Sequence, residues 1–495
     1  MSKPDYSAVE ALEPQPVWHF FAGMSAHPRP SKQEEAVRQW VLNIAKEHGF
    51  ISRVDVVGNV VIEVPASPGH EDAPLIVLQG HLDMVTEANR DSTHDFTRDP
   101  IELIIDTWAE DGRQIVRANG TTLGADNGIG VSLALAAATD PTVTHGPLEL
   151  LLTIDEEMGM TGAGELEPGF FRGRRMINLD TEEDNTLYIG CAGGMDTTLT
   201  WDLPTSELTP GHQTYQIEVG GMRGGHSGGD IHQNRGNAIK TLTRLLREVP
   251  GEVRLVTMQG GSKRNAIPRE AVATISCSAQ TIATLKRHAK TLATTVAAES
   301  YEPGTHITIT QAKATAAIAQ SATDRIIKAL AAVPSGVVGM HPKVENLVQT
   351  SNNLSTIEPT ATDKGLKLVV GLLSRGSTRS LLHAVADQLD SIGTLAGARV
   401  QQYGEYPGWE PNPDSELLAI CKSTYTDLFE ESPEILAVHA GLECGIIGER
   451  VGGLDAISFG PDIRGAHSPT ERVYVKSVQK SWRLLKAVLK KLATP

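Results

Sequence analysis

Aromatic side chains make up only 4% of the 495 residues, and basic charge is also short, with 44 Lys and Arg against 60 Asp and Glu and a formal net charge of −16. Gripping a phosphate backbone needs a basic surface and stacking bases needs aromatic platforms, so nucleic acid is disfavoured as a partner. Cysteines are few. Cys191, Cys277, Cys421 and Cys444 are scattered without a CxxC pair or the spacing of a disulfide framework, which predicts reduced buried thiols in a reducing compartment. No uninterrupted apolar run approaches the roughly 20 residues of a membrane span. The N-terminal sequence MSKPDYSAVEALEPQPVWHF has no basic stretch followed by an apolar one. A cytoplasmic protein with no membrane partner is the expectation. The remainder, 40% hydrophobic and 21% charged residues, is ordinary globular composition, and the length allows roughly two to four domains.

Residues 31–49 read as an amphipathic helix, with Ser31 and Glu34 as a capping box and Val37, Trp40, Val41, Ile44 and Ala45 as its apolar stripe. The apolar run 75–78 leads into Gly80-His81-Leu82-Asp83, the run 148–154 ends in Asp155-Glu156-Glu157, and 176–179 ends at Asp180. Short runs of this kind suit buried strands. A small-residue helix, 128–138, lies among them. Apolar strands that deliver polar residues at their C-terminal edges, alternating with helices, predict an open α/β sheet with its site at the strand ends. After Gly190-Cys191-Ala192-Gly193-Gly194 the texture turns to Thr, Ala and Gln, with strands at 215–219 and 271–276 and helices at 237–247 and 282–299. The earlier style returns in a helix at 415–428, a strand at 456–459 and a helix at 475–492. The predicted organisation is a catalytic domain of residues 1–194 and 406–495 interrupted by an inserted α+β domain, 195–405, with linkers near Gly193-Gly194 and Tyr406-Pro407-Gly408.

Five stretches carry metal-capable groups: Gly80-His81-Leu82-Asp83, Gly124-Ala125-Asp126-Asn127-Gly128, Asp155-Glu156-Glu157-Met158-Gly159, Asn178-Leu179-Asp180 and Gly465-Ala466-His467-Ser468-Pro469. A set of His, Asp, Glu, Asp and His suits zinc, manganese or cobalt, and holds two ions if one carboxylate bridges them. Two ions about 3.5–4 Å apart can share an activated water and polarise a carbonyl, which hydrolyses an amide without a covalent intermediate. Each stretch alone has a plainer reading: a satisfied His-x-Asp pair, a solvated Asp-Glu-Glu loop, a helix N-cap at Asp126, a turn at Asp180 and a loop histidine at His467. Several of them sit at the ends of apolar runs, where an open α/β sheet collects a site, and this favours the functional reading.

These five motifs, in this order, resemble the metallopeptidase family of aminoacylases, carboxypeptidases and carnosine-type dipeptidases. The likeness covers nearly the whole chain and is strongest to the branch that cleaves X-His dipeptides. It includes Leu123-Gly124-Ala125-Asp126-Asn127-Gly128-Ile129-Gly130, Asp155-Glu156-Glu157-Met158-Gly159-Met160-Thr161-Gly162-Ala163 and His439-Ala440-Gly441-Leu442-Glu443-Cys444-Gly445. The resemblance implies a zinc exopeptidase-like α/β catalytic domain with a central mixed sheet, interrupted by a lid or dimerisation domain. It implies two divalent ions, zinc ahead of cobalt or manganese, one held by His81 and Asp180, the other by Glu157 and His467, with Asp126 bridging and followed by a cis peptide. Asp83 would orient His81, and Glu156 would be the general base. In Gly224-Gly225-His226-Ser227-Gly228-Gly229-Asp230, His226 would stabilise the oxyanion, from the same chain or from the partner of a homodimer. Asn265 would contact substrate. Arg375, after the apolar run 368–373, would grip the C-terminal carboxylate with its planar fork, whereas Arg379 reads as a helix-surface charge.

The function so implied is hydrolysis of unblocked dipeptides, X-His and β-alanyl-histidine among them. N-acyl-amino-acid deacylation and tripeptide cleavage are the alternatives within the enzyme class. A metal-binding assembly protein is the alternative outside it, and Glu156, which no structural metal site requires, speaks against that. Gly225-His226-Ser227-Gly228-Gly229 also fits the Gly-x-Ser-x-Gly pattern of a serine nucleophile, without the apolar strand that should run into it.

Overall fold

The computed structural model describes residues 4–249, 251–344, 346–439 and 441–494, so Ala440 of the 439–445 motif lies outside the described residues. The chain forms two compact units. One comprises the chain up to Gly190, Pro411–Ala437 and the stretch from Leu442 onward, and the other Cys191–Glu410 with Val438–Gly441.

The first unit is built on an eight-stranded mixed sheet, ordered Ile51–Val54, Val60–Val64, Leu148–Thr153, Ile76–His81, Arg175–Asn178, Asp455–Ser458, Thr186–Cys191 and Glu434–Val438. Ile76–His81 runs parallel to both Leu148–Thr153 and Arg175–Asn178, which in turn is parallel to Asp455–Ser458. The strands Ile76–His81 and Leu148–Thr153 are buried along their whole length, as continuous apolar runs require. Being parallel, these strands finish on one edge, and the residues that follow them finish there too. Helices Gln15–Ser25, Ala125–Thr139 and Val475–Ala493 supply much of the surrounding core. In the last of these Val478, Trp482, Leu485, Leu489 and Leu492 make a buried stripe at spacings of three and four. A second sheet of this unit, Ile463–Arg464, Arg472–Tyr474, Gln114–Ala118 and Leu103–Thr107, carries the loop that contains His467.

One local expectation is corrected. The helix runs Glu35–Glu47 and has no capping box. The Ser31 hydroxyl donates to Asp83 Oδ2 at 2.7 Å, and Glu34 Oε1 accepts the N–H groups of Lys32 at 2.8 Å and Asp155 at 3.0 Å. Both side chains brace the site loops rather than the helix end.

The second unit is a ten-stranded sheet in which every recorded pairing is antiparallel, covered by helices Ala238–Arg247, Ala279–Glu299, Gln320–Ala332 and Arg379–Leu395. Its own core gathers residues such as Leu199, Leu242, Leu285, Leu330 and Leu368. Three long strands, Gly193–Glu207, Val348–Thr362 and Gly365–Gly376, form its centre, so Gly193 and Gly194 are strand residues. Among the described residues no helix is long and apolar enough to cross a membrane. The four cysteines are buried and form no disulfide.

Candidate active site

Each metal-capable side chain of the first unit is delivered by a strand end or a tight turn. His81 closes its strand, and Asp126 lies in the turn that opens helix Ala125–Thr139. Glu156 and Glu157 begin the short helix Glu156–Gly159, entered through Asp155 at φ 53°, and Asp180 follows Arg175–Asn178 by two residues. His81 Nε2 lies 3.1 Å from Asp126 Oδ1 and 3.3 Å from Asp180 Oδ1. His467 Nε2 lies 3.3 Å from Asp126 Oδ2 and 2.9 Å from Glu157 Oε2. The two oxygens of Asp126 therefore face different histidines. Two donor sets, His81 with Asp126 and Asp180, and Asp126 with Glu157 and His467, share that carboxylate, and within each set the ligand atoms lie within 4.8 Å of one another. Asp126 is no helix cap, since its backbone is outside the helical range at φ −79°, ψ 113°. The Asp126-Asn127 peptide is cis.

The chemistry of this cluster calls for cations. Burial pushes the Asp180 carboxyl up to about 7 and raises that of Glu157, with the Asp126 charge adding to both. Hydrogen bonds to Asp126 and Glu157 push the His467 imidazole up to about 11. Glu157 Oε1 is buried without a hydrogen-bond partner. Divalent ions would offset the crowded negative charge and occupy that oxygen, and imidazole with carboxylate is the donor mixture that zinc, cobalt and manganese accept. The residues present fit a pair of such ions.

Asp83 braces the same edge. Its Oδ1 stands 3.2 Å from His81 Nδ1, a charge contact without the alignment of a hydrogen bond. Its carboxylate also accepts the N–H groups of Glu156 at 3.1 Å and Glu157 at 3.2 Å, so it fixes the backbone of both glutamates. Burial raises the Glu156 carboxyl well above the usual range, with Asp180, Glu443 and Glu157 adding their charge. A carboxyl so raised suits a group that takes a proton and returns it.

Three buried groups of this unit, Glu443, Arg29 and Glu471, and the half-buried Glu182 carried no chemical reading in the sequence. Glu443 accepts Gln79 Nε2 at 2.7 Å and Thr153 Oγ1 at 2.6 Å, and burial pushes it up to about 7. Burial raises Glu182 to about 8, with the Asp126 charge adding. Arg29 and Glu471 are each 2% exposed. Glu443 begins a helix, where an acid is unremarkable, and no local pattern distinguishes a buried glutamate from a solvated one.

In the second unit His226 lies on the two-residue strand Gly225–His226, paired with Ala266–Ile267. Its Nδ1 accepts the Gly229 N–H at 3.0 Å, which leaves the proton of the neutral ring on Nε2. Burial and the Arg375 charge lower its pKa, which favours the neutral form. Nε2 stands 3.5 Å from Arg375 Nη2, and Arg375 Nη1 donates to the Tyr406 hydroxyl at 2.8 Å. His226 and Arg375 are thus brought together. Asn265 is adjacent by backbone, its carbonyl accepting the Ser227 N–H at 2.8 Å, but its residue is exposed. Arg379 lies on a helix surface and pairs with Glu405 at 2.7 Å. Among the described residues Ser227 Oγ is buried without a hydrogen-bond partner, so no base touches it there, and nothing activates it as a nucleophile.

The chain is a peptide-bond hydrolase and belongs to peptidase family M20/M25/M40, whose match spans residues 77–491. The chain is 41% identical over 492 residues to the cytosol non-specific dipeptidase of Escherichia coli (strain K12), covering 98% of this chain and 99% of that one. It is similar to the crystal structure of aminoacylhistidine dipeptidase from Vibrio alginolyticus, with a TM-score of 0.89, 42% identity and 98% of each chain covered. A tripeptidase from Staphylococcus aureus shares the fold alone, with a TM-score of 0.58 at 13% identity over 98% of this chain and 100% of that one.

Proposed function

We propose that this chain is a cytosolic two-metal dipeptidase that releases histidine from X-His dipeptides, β-alanyl-histidine included, with zinc as its ion. The observation that carries the reading is the Asp126 carboxylate, which presents one oxygen to His81 and the other to His467. His81 and Asp180 would hold one ion, Glu157 and His467 the other, and Asp126 both. Bound there, the ions supply Lewis acidity towards the scissile carbonyl and lower the pKa of a water. Glu156 takes the proton of the attacking water and returns it to the departing amine. Asp83 keeps both glutamates and His81 in place. His226, neutral with its proton on Nε2, is assigned to donate to the developing oxyanion. Arg375, held by Tyr406, is assigned the substrate's C-terminal carboxylate, and Asn265 a further polar contact. The second unit is read as the lid and as the surface of a homodimer.

The identity of the full-length relatives supports the dipeptide substrate class over the deacylase and tripeptidase alternatives. A panel of X-His dipeptides, N-acetyl amino acids and tripeptides tests it. Histidine should be released from unblocked dipeptides fastest, and faster turnover of the acetylated or longer substrates would reassign the chain within its family.

A further inference from the structure

We propose that Arg29 and Glu471 form a buried clasp that positions Asp126, so that both ion sites are set before either ion arrives. The proposal rests on the two-metal reading above. Glu471 accepts four successive backbone N–H groups: Leu123 at 2.7 Å and Gly124 at 3.0 Å on Oε2, Ala125 at 2.8 Å and Asp126 at 3.3 Å on Oε1. These donors open a helix and have no helical partner of their own, and a carboxylate is the acceptor that such an end favours. The fourth is the N–H of Asp126 itself, so Glu471 fixes the backbone from which the shared ligand projects.

Arg29 ties the same turn to a second ligand segment. Its Nη1 donates to the carbonyls of Leu82 at 3.3 Å and Asp83 at 3.0 Å, just past His81, and its Nη2 donates to Gly124 O at 2.6 Å. Gly124 has φ 69°, and a Cβ there would stand 2.4 Å from Arg29 Nη2, so the turn is closed down on the guanidinium. The third segment is the His467 loop, since Glu471 follows His467 by four residues and its N–H bonds Ser468 O at 3.0 Å. The strand end of His81, the turn of Asp126 and the loop of His467 are therefore held by two buried, opposite charges. Arg29 also faces the charges of Asp83, Asp126 and Glu157, and so reduces their mutual repulsion when no ion is present. Arg29 and Glu471 are positioning residues, and because Asp126 belongs to both donor sets, they act on both.

The test is calorimetric titration of chelator-treated protein with Zn2+ alone, followed by kinetics at saturating zinc. In Glu471→Gln an amide NH2 group faces two of the four N–H donors. Both zinc dissociation constants should rise by about ten-fold or more, while KM for a dipeptide at saturating zinc stays within about two-fold. Arg29→Lys keeps the charge but cannot span three carbonyls, and should shift both constants in the same direction. The control is Glu149→Gln, which alters another buried carboxylate that accepts backbone N–H groups, from Arg172 at 2.7 Å and Gly173 at 3.0 Å. Glu149→Gln should lower stability and leave zinc affinity unchanged. Wild-type zinc affinity in folded Glu471→Gln and Arg29→Lys, or an equal loss in Glu149→Gln, would overturn the clasp. If Glu471→Gln does not fold, Arg29→Lys decides. A wild-type protein that binds no zinc would instead defeat the two-metal reading.

Discussion

At the residue scale the demanding assignment is the division of labour between two neighbouring carboxylates, Glu156 as base and Glu157 as ligand. Glu157 Oε2 stands 2.9 Å from His467 Nε2, whereas Glu156, which also lies within 4.8 Å of His81 and Glu157, makes no hydrogen bond with either histidine among the described residues. Glu156→Ala should therefore lower kcat by about 10³-fold or more while metal content, measured by elemental analysis, stays near that of the wild type. Loss of metal in step with activity would make Glu156 a ligand. Arg375→Glu should raise KM for dipeptides by about 30-fold or more, in line with the loss of a charge-assisted contact, and much less for a dipeptide amide. Equal losses on the two substrates would detach Arg375 from the carboxylate. His81, Glu156, Glu157 and Asp180 were legible as candidates because they follow apolar runs whose parallel strands finish on one edge, whereas Asp126 and His467 stand in glycine-bearing turns. Tyr406, Glu443 and Glu471 were not, because their roles depend on partners far away in sequence, such as Arg375, Gln79 and Leu123.

At the scale of elements, the site depends on how closely the Ala125–Thr139 helix approaches the segment that carries Asp180. A Cβ on Gly130 would lie 2.2 Å from the Leu179 carbonyl oxygen and 2.6 Å from the Asn127 amide, and that amide donates to the same carbonyl at 2.7 Å. Gly130→Ala should cost about 1–3 kcal/mol in denaturant unfolding. Gly164→Ala, where nothing lies within 4 Å, should change little. Equal stabilities would show that the helix can shift without cost. The parallel strands and the flanking helices could be read from sequence because their apolar periodicity is strong. The capping box could not, since Ser31 and Glu34 have the right types and spacing but are drawn to Asp83 and Asp155. Nor could the Val348–Thr362 strand, whose buried Asn352, Asn353 and Ser355 look like a loop. They are tolerated inside because they donate to the carbonyls of Pro334, Ala266 and Arg264.

At the scale of the whole molecule, the chain forms two units, each with its own core. The net charge of −16 acquires a local meaning, because Asp83, Asp126, Glu156, Glu157 and Asp180 gather at one sheet edge. Ions that bind there and not to the unfolded chain stabilise the fold by mass action, about 2.7 kcal/mol per site at a hundred times the dissociation constant. Chelation should therefore lower Tm as well as activity. The most direct measurement takes one preparation, before and after exhaustive chelation, and determines metal per chain together with histidine release from β-alanyl-histidine and an α-linked X-His dipeptide. A two-metal dipeptidase must show two ions per chain, lose turnover as they leave and regain it with added zinc. Undiminished histidine release from protein shown to be metal-free would contradict it.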